Sequence, residues 1–259
     1  MKQSFRSRMK GGETLIGSWL TIGSGTTAEI MAQSGFDWLA IDMEHSVIEL
    51  ATAQEMIRIV DLHGVTPLVR VGHNQPNLIK RVMDAGSTGV IVPMVNSVAE
   101  AEQAVASVKY PPQGFRGVGL ARAQQYGFGF SEYQDWNRDN SVVVVQIEHI
   151  DAVNNLEAIL SVPGVDGFIV GPYDLSGSLG VPGEFDNPDV KAALNEIQRV
   201  ADKSDVAGGF HVVQPEPETL NDKLENGYRL LAYGLDSLFL GLGARNAVQE
   251  SAKLIGDLK

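Results

Sequence analysis

The chain contains no cysteine, which excludes disulfide bridges, iron–sulfur clusters and a thiol nucleophile. No apolar run approaches the roughly 20 residues of a membrane-spanning helix, and the N-terminus lacks the apolar segment of a signal peptide. Basic residues are scarce as well: 20 Lys and Arg against 32 Asp and Glu give a formal net charge of -12, without the basic stripe typical of nucleic-acid-binding proteins. We therefore expect a cytoplasmic protein that binds neither nucleic acid nor membranes.

Short apolar runs alternate with amphipathic stretches along the whole chain. The runs predict strands at 16–20, 38–42, 67–71, 89–93, 142–148, 167–171, 206–211 and 229–233. The stretches predict helices at 27–34, 51–63, 75–85, 98–108, 151–160, 188–203, 216–226 and 236–258. This alternation predicts a (β/α)8 TIM barrel, and the length of 259 residues suits a single domain spanning 1–259.

Four glycines support the helix-to-strand order, because each precedes one of the short apolar runs: Gly35, Gly86, Gly164 and Gly227. Glycine is favoured just past a helix C-terminus, where the chain turns through the left-handed conformation. One long interruption, residues 110–140, is rich in Gly, Pro, Gln and aromatic residues. We expect it to form a folded active-site or interface segment.

Two carboxylates follow neighbouring strands of the predicted barrel. Glu148 ends the fifth strand and Asp174 follows the sixth, so both face the mouth where such barrels carry their active sites. A hard divalent cation such as Mg²⁺, Mn²⁺ or Co²⁺ resolves the repulsion between two acids and leaves coordination positions for a chelating substrate. The alternative is structural, with Asp174 capping a turn and Glu148 pairing with an arginine.

Arg70 ends the third strand among apolar neighbours, where its guanidinium suits a carboxylate or a developing enolate oxygen. Its structural alternative is an ion pair with Glu44 or Glu148. His45 follows Asp42 and Glu44 at the end of the second strand, and an acid beside its ring favours a general base. A hydrogen-bonded structural histidine is the alternative there.

The lysines distinguish two ways of making or breaking a carbon–carbon bond. Schiff-base catalysis needs a desolvated lysine in the barrel interior, yet no predicted strand contains one. Stabilisation of an enolate by a metal and Arg70 is the remaining route. The glycine pairs 117/119 and 241/243 lack the spacing of a dinucleotide fingerprint.

Several strings of residues together resemble the HpcH/HpaI class II pyruvate aldolase family. They are GSW at 17–19, DWLAIDMEH at 37–45, PMV at 93–95, YPP at 110–112, RGVG at 116–119 and GPYDLS at 171–176. The resemblance extends over nearly the whole chain. It implies a lyase that cleaves a 4-hydroxy-2-oxo acid, such as a 2-keto-3-deoxy sugar acid or a 4-hydroxy-2-oxo-dioate, to pyruvate and an aldehyde through a metal-bound enolate.

The resemblance also implies roles for individual residues. Glu148 and Asp174 would hold the metal, and Arg70 would stabilise the enolate. Gln146 and the backbone around Gly171 and Pro172 would hold the pyruvyl unit, and His45 oriented by Asp42 would manage the proton of the C4 hydroxyl. The family forms hexamers as trimers of dimers that exchange the C-terminal helix, so the segment after Asp236 would dock on a neighbouring subunit.

The aldehyde half departs from the family pattern, for example at Met43, in the loop LARAQQYG at 120–127 and at His211. Trp19, Arg122, His211 and Val212 are the predicted contacts of the aldehyde, and they favour a polar or acidic acceptor. The alternatives are core packing for Trp19 and a subunit interface for Arg122.

Three other functions compete with the aldolase. One is a related metal–enolate enzyme acting on a CoA thioester or making citrate, although no basic groove for CoA is recognisable. The others are a noncatalytic metabolite-binding protein and a phosphate-sugar isomerase, which would need a Gly-rich phosphate loop after the seventh strand.

Overall fold

The computed structural model describes residues 3–257, and within them the strands close into a parallel barrel in the order β1 to β8. The predicted TIM barrel is confirmed. The strands are β1 Leu15–Leu20, β2 Trp38–Asp42, β3 Thr66–Arg70, β4 Gly89–Val92, β5 Val142–Ile147, β6 Gly167–Val170, β7 Ala207–Val212 and β8 Leu230–Leu235. The helices are α1 Phe5–Lys10, α2 Gly25–Ala32, α3 Leu50–Leu62, α4 Pro76–Asp84, α5 Val98–Val108, α6 Phe130–Asn140, α7 Ile150–Asn154, α8 Leu156–Leu160, α9 Pro172–Ser178, α10 Pro188–Ala201, α11 Pro217–Glu225 and α12 Asp236–Asp257.

Two apolar layers form the core, because successive strand residues point alternately into the barrel and out towards the helices. The inner layer includes Trp19, Trp38, Leu68 and Ile169, all buried. Phe5 and Met9 of α1 belong to the same cluster and close one end of the barrel. The opposite end, where the strands reach their carboxyl termini, is left open for a substrate cavity.

The helix-to-strand glycines take the predicted conformation. Gly35, Gly86, Gly164 and Gly227 have φ angles of 93, 100, 100 and 85°. A side chain with a Cβ is disfavoured at such angles, so these four positions turn the chain from each helix into the next strand.

The long interruption at 110–140 is folded, but it lies away from the predicted mouth. It contains a 3-10 helix, Arg122–Gly127, and α6, which the sequence analysis did not predict. It helps to line a cavity of about 700 Å³ together with Thr66 and Thr88, which lie at the amino-terminal ends of β3 and β4. Within this chain the segment is therefore not an active-site loop.

The last helix, α12, leaves much of its surface exposed. Leu240, Val248, Leu254 and Ile255 are between 56 and 69% exposed, although all are apolar. The described residues, 3–257, contain no helix with the length and apolar character required to cross a membrane.

Candidate active site

The carboxyl ends of the strands bring most of the predicted site residues to one cavity of about 190 Å³. Its walls include Trp19, His45, Arg70, Gln146, Gly171, Pro172, Asp174 and His211. These residues are far apart in sequence but share the carboxyl end of a parallel barrel, the end at which such folds bind substrates. The cavity is therefore the candidate active site.

Arg70 and Asp42 form a buried, two-pronged ion pair. The Arg70 Nε and Nη2 donate to Asp42 Oδ1 and Oδ2 at 2.9 and 2.7 Å. The Asp42 Oδ1 also accepts from the backbone N–H groups of Glu44 and His45, at 3.0 and 3.2 Å. Burial alone would raise the pKa of Asp42, but these donors outweigh it and hold the pKa below its usual value. The Asp42 carboxylate therefore holds the Arg70 guanidinium in one orientation.

The Asp42 contacts correct one prediction. Asp42 binds the backbone of His45 and does not approach its ring; the acid near that ring is Glu44, whose Oε2 lies 3.8 Å from His45 Nε2. Glu44 Oε2 is also 3.4 Å from Arg70 Nε. Burial, together with the charges of Asp42 and Asp174, outweighs the charge of Arg70 and raises the pKa of Glu44 to about 7. From sequence alone, Glu44 has no predicted catalytic role of its own.

Glu148 is buried, and both of its oxygens have protein donors. The backbone N–H of Met94 donates to Oε1 at 2.7 Å, and Gln146 Nε2 donates to Oε2 at 2.5 Å. Burial, together with the charges of Glu44 and Asp174, outweighs the Met94 hydrogen bond and the charge of Arg70 and raises the pKa of Glu148 to about 7. The structural alternative for Glu148, an ion pair with an arginine, is not formed among the described residues.

Glu148, Asp174 and Glu44 are close enough for their charges to interact, while the nearby cation, Arg70, is committed to Asp42. Such an excess of carboxylate oxygens fits a hard divalent cation. Within residues 3–257 no cluster of three or more His, Cys, Asp or Glu side chains has a metal-binding arrangement. The predicted site has only two protein carboxylates, Glu148 and Asp174, and leaves the cation's other coordination positions to water and substrate. The lack of a three-residue cluster is compatible with such a site.

Gly171 makes room for the Glu148 carboxylate. A Cβ built on Gly171 would lie 2.9 Å from Glu148 Oε2 and 3.1 Å from its Cβ. Any side chain at Gly171 would therefore displace the carboxylate, which gives the glycine in the GPYDLS string a steric reason.

Trp19 and His211 form an aromatic wall beside Arg70. Their ring centroids are 5.4 Å apart, and the Arg70 guanidinium lies 4.3 Å from the Trp19 centroid. Trp19 Nε1 and His211 Nε2 are buried without a hydrogen-bond partner. Burial lowers the pKa of His211 to about 3, and the charge of Arg70 acts in the same direction. The imidazole is therefore neutral at physiological pH.

Two predicted aldehyde contacts are corrected. Val212 lies in the outer core cluster, because the period of two along β7 that turns His211 inwards turns Val212 outwards. Val213, the next inward position, lines the cavity instead. Arg122 lies at the opposite end of the barrel, where its Nη2 binds Asp61 Oδ2 at 2.6 Å. Arg122 therefore does not reach the cavity of its own chain.

The lysine prediction agrees with the structure, since no described strand contains a lysine. Lys109 is buried, but its Nζ donates to the backbone oxygens of Asn137 and Ser141 at 2.9 and 3.1 Å, at the amino-terminal end of β5. Among residues 3–257, none of those lining the cavity is a lysine, so they offer no amine for a Schiff base.

Comparisons with known proteins identify the family of this chain. Residues 15–240 match the family described as HpcH/HpaI aldolase/citrate lyase. The chain belongs to this family.

A hydroxypyruvate/pyruvate aldolase of Sagittula stellata is 38% identical over 244 residues, which are 94% of this chain and 95% of the relative. A 4-hydroxy-2-oxo-heptane-1,7-dioate aldolase of Salmonella typhimurium is 37% identical over 247 residues, 94% and 92% of the two chains. The crystal structure of an HpcH/HpaI aldolase/citrate lyase family protein from Burkholderia cenocepacia J2315 superposes with a TM-score of 0.90 at 33% identity, covering 95% of this chain and 98% of that one. The predicted family is confirmed, and the chain is a carbon–carbon lyase of the aldolase kind.

Proposed function

We propose that this HpcH/HpaI family member is a metal-dependent aldolase that reversibly cleaves a 4-hydroxy-2-oxo acid to pyruvate and an aldehyde. The observation that carries the proposal is that Glu148 and Asp174 interact beside the fixed guanidinium of Arg70, at a cavity whose described lining residues include no lysine. That combination suits an enolate route and not a Schiff base.

Glu148 and Asp174 are the residues that would hold the divalent cation, with Mg²⁺, Mn²⁺ and Co²⁺ as candidates. When bound, the cation supplies positive charge that stabilises an enolate. Gln146 fixes Glu148 through its Nε2, and its own Oε1 is buried without a partner. Gln146 and the backbone of Gly171 and Pro172 then form the wall against which the pyruvyl unit binds.

Arg70 stabilises the negative charge that develops on the 2-oxo group when the carbon–carbon bond breaks. Its bonds to Asp42 use Nε and Nη2, which leaves Nη1 for a substrate oxygen. Because Asp42 holds the guanidinium in place before the reaction, little reorganisation is needed as the charge forms.

His45 takes the proton of the C4 hydroxyl during cleavage and returns it during condensation. Its side chain is 62% exposed and lies on the cavity wall, which gives the ring access to both substrate and water. Glu44 is the acid beside the ring, with its Oε2 3.8 Å from His45 Nε2. Asp42 contributes by holding the backbone of the His45 loop.

The aldehyde contacts Trp19, His211 and Val213, and the acceptor is hydroxylated. His211 is neutral and so binds a hydroxyl better than a carboxylate, and Arg70, the cation on the cavity wall, is neutralised by Asp42. This narrows the predicted polar or acidic acceptor to a hydroxyaldehyde.

His211→Leu should raise KM for glycolaldehyde more than for propanal, while KM for pyruvate stays near that of the parent. An unchanged preference between the two aldehydes would contradict this role of His211.

We also propose a cytoplasmic homo-oligomer, a hexamer built as a trimer of dimers, in which α12 packs on a neighbouring subunit. The exposed apolar residues of α12, among them Leu240, Val248 and Leu254, favour such a partner. An assembly of this kind would also give Arg122 its one route to an active site, that of another subunit.

Pyruvate release from a panel of 4-hydroxy-2-oxo acids, with and without EDTA, tests the proposed function. EDTA, Glu148→Gln and Asp174→Asn should each remove activity with little change in the unfolding temperature, because the barrel core does not depend on these carboxylates. Full turnover in excess EDTA would refute the proposal. Turnover of a CoA thioester alone would favour the competing enolate enzyme, although the cavity wall holds no basic groove for CoA.

A further inference from the structure

Met94 has a strained backbone at the mouth of the barrel. It follows β4 and Pro93, and its φ angle of 51° lies in the left-handed region. The other non-glycine residues with positive φ in the described chain, Gln125 and Tyr126, belong to the 3-10 helix at the opposite end. Strain of this kind persists where the surrounding structure enforces it, and it concentrates at functional sites.

The left-handed turn gives the Met94 N–H a particular target. The N–H donates to Glu148 Oε1 at 2.7 Å, while Gln146 donates to Oε2 at 2.5 Å. One donor on each oxygen fixes the plane of the carboxylate and leaves a second lone pair on each oxygen for another partner. The Met94 side chain is 46% exposed, so its packing does not account for the conformation.

Both flanks of Met94 are held by independent contacts. Before it, Val92 pairs with Val145 in the β4–β5 ladder. After it, Val95 is fully buried, and the backbone N–H of Asn96 donates to Glu100 Oε2 at 2.7 Å at the start of α5. The chain between the end of β4 and the start of α5 is thus fixed at both ends, and Met94 absorbs the change in direction.

We propose that Met94 is a positioning residue whose left-handed backbone aims its N–H at Glu148 and so orients that carboxylate to bind the divalent cation. The proposal rests on the proposed metal site and adds a residue to it. Loss of a hydrogen-bond donor that holds a metal-ligating side chain typically lowers metal affinity by about 10–100-fold.

A series of substitutions at Met94 separates backbone conformation from side-chain loss. Gly and Asn accept positive φ, whereas the β-branched Val and Ile disfavour it. Mn²⁺ binding by calorimetry, without substrate, should give Met94→Gly and Met94→Asn dissociation constants within about two-fold of the parent. Met94→Val and Met94→Ile should bind Mn²⁺ about 10–100-fold more weakly.

The unfolding temperature of each variant in EDTA shows whether weaker binding reflects lost structure. If the Val and Ile variants do not fold, Met94→Ala decides, because alanine keeps a Cβ but is less hindered. Its dissociation constant should exceed that of Met94→Gly, although both variants lack every methionine side-chain atom beyond Cβ.

Equal Mn²⁺ affinity in Met94→Gly and in the folded Val, Ile or Ala variants would overturn the role of Met94, provided that Glu148→Gln still weakens binding. Equal affinity in the parent and in Glu148→Gln would instead refute the metal site, and the positioning proposal with it.

Discussion

Burial of His211 makes one part of this protein's stability sensitive to mild acid, opposite in sign to the part contributed by Glu44 and Glu148, whose pKa values burial raises. Burial lowers the folded-state pKa from 6.5 to about 3. Above pH 6.5 the imidazole is neutral in both the folded and the unfolded chain and adds no pH dependence. As the pH falls below 6.5, the unfolded chain binds a proton at His211 that the folded chain does not bind, so the contribution of His211 to the free energy of unfolding decreases until the pH nears 3.

The size of the effect follows from the pKa difference. Each pH unit between the two pKa values costs about 1.4 kcal/mol. Acidification from about pH 7 to about pH 5 should therefore destabilise the parent, relative to His211→Gln, by about 2 kcal/mol. Glutamine can hydrogen-bond but does not titrate, and carboxylates elsewhere titrate alike in both proteins.

Urea unfolding followed by tryptophan fluorescence, at several pH values between about 5 and 8, measures this difference. EDTA and one protomer concentration throughout keep metal binding and assembly from shifting the curves. The difference in unfolding free energy between the parent and His211→Gln should change steadily below pH 6.5. A difference that stays constant across the range would show that His211 binds the proton in the folded protein as well. The assignment of a neutral His211 to the proposed acceptor site would then be wrong.

Three further predictions concern proton transfer by His45, the segment 110–140 and helix α12. His45→Ala should slow carbon–carbon cleavage by roughly 10²–10⁴-fold but largely spare solvent exchange of the pyruvate methyl protons by NMR, whereas Arg70→Ala should impair both; equal loss of both in His45→Ala would contradict its role. Arg116→Leu should destabilise the protein by about 3 kcal/mol in urea unfolding, because Arg116 is buried and pairs with Asp84 at 2.6 Å; a change below about 1 kcal/mol would contradict that. Leu240→Asp together with Val248→Asp should lower the particle mass measured by light scattering, because the exposed apolar face of α12 is lost. An unchanged mass would show that α12 is not the subunit interface.

The alternation of apolar runs with glycine-ended helices was sufficient to predict the barrel. Buried parallel strands need continuous Val, Ile and Leu segments, and left-handed turns need glycine, so both features are visible locally. The predicted strands agree with the structure within two residues at each end. Helix α6 escaped prediction because its polar sequence, FSEYQDWNRDN, has few apolar residues to reveal the period.

The composition of the mouth was likewise open to prediction, because polar residues that directly follow buried strands must lie at the carboxyl end. Arg70, Gln146 and His211 were placed in this way, and the structure brings them to one cavity. The sequence did not predict which strand residues point into the barrel, nor which side chains pair between strands. Val212 was assigned to the site although Val213 faces it, since one residue of register reverses the side of the sheet.

Sequence alone therefore determined the family, the fold and the ring of strand-end residues, because each depends on local pattern and chain order. Only the tertiary structure decided that Asp42 holds Arg70, that Glu44 faces His45, that Arg122 lies at the far end of the barrel, and that Met94 turns its N–H towards Glu148. Those contacts depend on which strands pair, in which register, and on how side chains and loops pack at the strand ends, and a local sequence pattern does not specify these.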